Sequence, residues 1–161
     1  MISPNFVLNS SVANTTEPFN SHHSAFQIEE TTVEPVAYEK YRQWEKLRNH
    51  IKNFENMDDN WNGYNVSAPN LSSIDHSIRW LKCLFDSTML SNAWINPMVS
   101  PDENGDIVFE WQLEDKWLCV IVSPSDVSYL CEGGMPEGSN SLEGMADTQS
   151  QREMLWRWLT A

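Results

Sequence analysis

The apolar residues of this chain change their spacing once, close to Pro97, and that change limits the architectures open to it. Before it, Tyr41, Trp44, Leu47, Ile51 and Phe54 recur at steps of three and four with Glu, Lys and Arg between them, the period of a helix with one buried stripe. Ile74, Ile78, Leu81, Leu84 and Phe85 repeat the pattern and predict a second such helix. After it, Ile107, Phe109, Trp111 and Leu113 alternate with Val108, Glu110 and Gln112, the period of a strand with one buried face. The run WLCVIV at 117–122 is apolar without alternation, which predicts a central strand covered on both sides. Val127–Cys131 reads as a last strand, so residues 98–131 form a short antiparallel meander. The expected class is α+β: two amphipathic helices packed on that meander, plus a C-terminal helix.

Punctuation residues divide the chain. Residues 1–35 hold no Lys or Arg, four glutamates and apolar residues of no regular period, and read as a flexible N-terminal arm. The α+β domain spans 36–131, with Pro35 at a first helical turn and the first helix ending near Asn56. MDDNWNGYNVSAPN follows as a structured loop, and Asn70 or Ser72 can cap the second helix. Asn104-Gly105 marks a hairpin turn. Residues 132–148, acidic and rich in Gly and Pro, read as a linker or loop. The tail 149–161 carries apolar residues at helical spacing, too short to stand alone, and needs a dock on this domain or on another chain.

A length of 161 residues suits one core. The formal charge of -13, from 23 acids against 10 bases, argues against direct contact with nucleic acid or an anionic membrane and for a basic protein partner. The arm carries -4, the body -6, the segment 132–148 -4 and the tail +1, a negative excess that reads as spread along the chain. Without a basic, apolar leader or a spanning stretch, a cytoplasmic location is expected. Cys83, Cys119 and Cys131 form an odd set without a CxxC and read as reduced, buried thiols.

Candidate chemistry is sparse. Asp58, Asn60, Asn62 and Gly63 reproduce the first half of a calcium loop, but Pro69 stands where its bidentate glutamate belongs. The simpler reading is a turn that places Trp61 and Tyr64. Asp102, Glu103 and Asp106 surround a turn in the same way. No histidine sits at ligand spacing with a carboxylate or cysteine, and the common nucleotide and hydrolase signatures are missing. Nothing positive argues for an enzyme, and no cofactor is implied. Eight tryptophans exceed what one small core easily buries, so some should be exposed, with Trp156 and Trp158 as partner-binding anchors.

Trp61, Gly63, Tyr64, Pro69, Pro97, Val99, Pro101, Gly105, Ile107, Glu110 and Trp111 carry a pattern that resembles small uncharacterised bacterial proteins. It runs W-[DN]-G-Y-x-x-x-x-P, then a helix, then P-x-V-x-P-x-x-x-G-x-I-x-x-E-W. The resemblance covers roughly residues 58–123 and implies a shared fold, with no catalytic residue to transfer.

The leading functional expectation is a non-enzymatic binding protein that neutralises or regulates a basic partner, such as a nucleic-acid enzyme. An antitoxin, an immunity protein or a phage-encoded inhibitor of a defence nuclease, such as an anti-CRISPR, would act so. Its expected contacts are Trp61, Tyr64, Trp156, Trp158, Glu137 and Glu143. Two alternatives stand beside it. One is a metal-dependent hydrolase or metal-binding module using Glu55, Asp58, Asp59, Asp102 and Asp106. The other is a subunit of a larger assembly docked through its tail helix.

Overall fold

A computed structural model describes residues 35–88, 94–134 and 141–161 of the chain. Helix α1 runs Pro35–Lys52 and tightens into a 3-10 turn at Asn53–Asn56. Helix α2 spans Leu71–Thr88. Strands β1 (Met98–Pro101), β2 (Ile107–Leu113), β3 (Lys116–Val122), β4 (Val127–Glu132) and β5 (Ser141–Met145) precede helix α3 (Gln149–Thr160). The strands pair antiparallel in chain order, β1-β2-β3-β4-β5, so each joins its neighbour by a local connection. The architecture is α+β, as the change of period predicts.

The helices carry the stripes read from the sequence. Trp44, Leu47, Ile51 and Phe54 are buried beside Ile74, Trp80, Leu81, Leu84 and Phe85 of α2. Tyr41, expected in the first stripe, is instead exposed. Asn70 is the cap of α2, its side-chain oxygen accepting the Ser72 N–H at 2.8 Å. These side chains meet one face of the sheet, where Ile107, Phe109, Trp111, Leu118, Val120, Val122, Val127, Tyr129 and Cys131 complete the core. Trp80 stacks on Phe109 at 5.8 Å between ring centroids, tying α2 to β2.

The turns explain why the motif residues are what they are. Asn70 N–H donates to Gly105 O at 2.8 Å, which seats the loop before α2 on the β1–β2 turn. Gly105 has φ +79, and a Cβ there would lie 2.9 Å from Ala68 O, so the approach needs glycine on both counts. Asp102 holds the same turn by accepting the N–H groups of Asn104 and Asp106 at 2.9 Å each.

Two expectations are corrected and one open alternative is decided. Part of the segment 132–148, read as a linker or loop, is strand β5, which pairs with β4 from Ser128↔Met145 to Glu132↔Ser141. Its short alternation, with Leu142 and Gly144 toward the helices, was masked by the surrounding Gly and Pro. The tail docks on its own domain: Leu155, Trp156 and Leu159 are buried in the common core, and Thr148 and Gln151 form a capping box at the start of α3. Strand β3 is central but, among the described residues, is covered by helices on one face only. Met98, Trp117, Ile121, Leu130 and Met145 on the other face remain partly or largely exposed, and none belongs to the core cluster.

Candidate functional site

The alternation of β-strand side chains sorts the sheet into two faces, and the register places the residues of the uncovered face in rows. One row crosses all five strands: Met98, Glu110, Cys119, Leu130 and Glu143. A second runs Ser100, Val108, Ile121, Ser128 and Met145. A third holds Gln112, Trp117, Glu132 and Ser141. With strands about 4.8 Å apart, the first row is about 19 Å wide. Apolar side chains and the glutamates Glu110, Glu132 and Glu143 thus share one surface, and the strands supply it with no base.

Two shallow hollows mark this face. One, of about 330 Å³, is lined by Ile95, Met98, Glu110, Gln112 and Trp117 among others. The other, of about 410 Å³, lies by Ile121, Leu130, Glu143 and Met145. Met98 is 70% exposed and Met145 44%, and methionine suits an adaptable contact surface. Cys119, between them in the first row, is only 8% exposed. Burial, followed by the facing Glu110 carboxylate, pushes its thiol up to about 11, so it stays protonated and unreactive near neutrality. Burial also raises the Cys131 thiol on the opposite face. Cys83 alone of the three is exposed, a correction to the expected buried set.

Along the chain the negative excess is spread, but the layers of the fold differ in charge. Lys40, Arg42, Lys46, Arg48, Lys52, Arg79 and Lys82, seven of the ten bases, lie on α1 and α2. The sheet and its turns carry Asp102, Glu103, Asp106, Glu110, Glu114, Asp115, Asp126, Glu132 and Glu143 against Lys116. Lys116 itself points to the helix side, donating to Trp158 O at 3.0 Å.

The residues expected to bind a partner do not form one patch. Trp156, 6% exposed, stacks on Trp94 and meets Trp111 edge-on, so it is a core residue and is withdrawn as a surface anchor. Trp158 is half-buried with Lys116 over its ring at 5.8 Å. Both lie on the helix side of the sheet, whereas Glu143 lies on the open side. Tyr64 is 85% exposed, and half-buried Trp61 donates to Ser67 O at 3.2 Å. Glu137 lies outside the described residues. All eight tryptophans are at least half-buried: Trp44, Trp80, Trp111 and Trp156 lie in one core, Trp94 and Trp158 pack against it, and Trp61 and Trp117 lie outside it. The open face was missed because β3 reads as buried on both sides; the cue was Glu110 and Glu132 at the same period as its apolar residues.

The calcium-like loop spends its oxygens on itself. Asn60 accepts the Asn65 N–H at 2.7 Å, Asn62 the Tyr64 N–H at 2.9 Å and Asp59 the Ala68 N–H at 2.8 Å. Among the described residues, no group of three His, Cys, Asp or Glu side chains is placed to hold a metal ion, Asp58 and Asp102 included. His76 Nδ1 lies 2.8 Å from Ser123 O, a local tie between α2 and the β3–β4 turn. Burial raises Asp106, whose Oδ1 accepts from Ser73 at 3.0 Å, from its ordinary value. Among the described residues no helix is long and apolar enough to cross a membrane. Compared with known proteins, the chain matches no family model, no curated protein and no solved structure.

Proposed function

We propose that this chain is a non-enzymatic acidic protein that binds a basic protein partner through the uncovered face of its sheet and so neutralises or regulates it. An antitoxin, an immunity protein or a phage-encoded inhibitor of a defence nuclease would work in this way. One observation carries the reading: Met98, Trp117, Ile121, Leu130 and Met145 share an uncovered surface with Glu110, Glu132 and Glu143. Apolar side chains supply contact area once water is excluded, and glutamates steer and orient a cationic partner. A nucleic-acid enzyme presents such a cationic surface where it holds phosphates.

The test is affinity capture of the tagged chain from its native cell at low and high salt, beside the triple variant Glu110→Gln, Glu132→Gln, Glu143→Gln. A stoichiometric basic protein, reduced at high salt and by the variant, supports the reading. A partner retained equally by the variant, or a chain that emerges alone at both salts, overturns it.

A further inference from the structure

Outside the sheet, an open groove of about 520 Å³ lies between α1 and α2, lined by Tyr41, Trp44, Glu45, Arg48, Ile78, Arg79, Lys82 and Cys83. We propose that this groove binds a small amphiphilic anion, an apolar or aromatic body carrying one carboxylate, sulfonate or phosphate. The inference is independent of the partner reading for the sheet.

Its size falls in the range of small-molecule pockets, about 300–1,000 Å³. Its wall is built from the ring of Tyr41, 53% exposed, the half-buried Ile78 and the exposed Cys83. Arg48, Arg79 and Lys82 bring three positive charges to it against Glu45, which pairs with Arg48, and Asp86, whose two carboxylate oxygens accept from Lys82, a net positive site in a chain whose overall charge is -13. Arg48 is held by Glu45 at 3.0 Å, and Lys82 lies 5.8 Å from the Trp44 ring centroid, so two of the three are already oriented. An apolar body covers the wall while its anionic head meets Arg79 and the Arg48 donors that Glu45 leaves over. A neutral or cationic amphiphile gains the wall alone.

The experiment uses the full chain with anilinonaphthalene sulfonate as a fluorescent probe and neutral iodoacetamide as a reagent for Cys83. Expected are saturable binding of one probe per chain, slowed alkylation of Cys83 at saturation, and displacement by decanoate but not by decyltrimethylammonium. Arg79→Glu, at an exposed position, weakens the probe by about five-fold, with circular dichroism reporting that it folds. Any one of three results overturns the proposal: no saturable binding, alkylation of Cys83 at an unchanged rate under saturating probe, or equal displacement by both amphiphiles. The last two need no variant.

Discussion

The two faces of the sheet are written on the same strands yet obey different rules. Toward the helices, Ile107, Phe109, Trp111, Leu118, Val120, Val122 and Val127 are buried without a carboxylate among them. On the other side, every apolar residue of the first row is flanked by a glutamate or lies one strand from one. An acid cannot be buried without a partner except at a cost of several kcal/mol, so the second face is built to stay wet or to meet a cation. The contrast separates residues that hold the fold from residues available to a partner, and it can be attacked directly.

The largest effect is expected on the buried face. Phe109→Ala removes a ring stacked on Trp80 and tilted against Trp111 and should cost about 3–5 kcal/mol in denaturant unfolding. Ile121→Ser, on the open face of the next strand, should cost under about 1 kcal/mol while weakening partner capture. Equal losses of stability would erase the distinction between the faces.

That distinction was only half legible beforehand. The period of Ile107, Phe109 and Trp111 placed the buried face correctly, since alternation is a direct record of one-sided burial. Trp117, Cys119 and Ile121 broke the alternation in β3, and a sequence cannot say whether a doubly apolar strand is doubly covered. The tail shows the same limit: spacing marks Met154, Leu155, Trp158 and Leu159 as apolar with Trp156 on another side, yet Met154 is exposed and Trp156 buried, because which surface receives the helix depends on contacts with α2 and β3 far away in sequence. Strand β5 was hidden because five residues beside Gly and Pro carry too little pattern. The pairing of Asn70 with Gly105 joins two turns that spacing alone leaves separate.

A smaller effect should appear in alkali. Because the folded Cys119 thiol titrates at about 11, above its ordinary 9.0, the unfolded chain ionises first as pH rises. Stability is therefore full below pH about 9 and falls as pH climbs through about 11, by an amount on the order of 1 kcal/mol. Cys119→Ser should remove that part of the decline in unfolding scans. An unchanged decline would assign it to other groups, such as Tyr129 and Cys131, which burial also raises. Thiol counting sharpens the same point: a disulfide reagent should titrate one group, Cys83, in the native chain and three after unfolding. Two fast native thiols would mean that the open face admits reagent to Cys119.

The smallest effect distinguishes tryptophans within the buried face. Trp80 donates to Ala146 O at 2.7 Å and Trp111 to Ile95 O at 2.9 Å, whereas the buried Trp156 Nε1 has no acceptor among the described residues. Trp156→Phe loses some ring area but also relieves an unsatisfied donor, and the two offset to within about 1 kcal/mol. Trp80→Phe loses similar area and leaves Ala146 O, which joins β5 to α3, without its donor. It should be worse by a further 1 kcal/mol or so. Equal penalties in thermal unfolding would mean that Trp156 Nε1 has a partner after all, and that its burial serves more than packing.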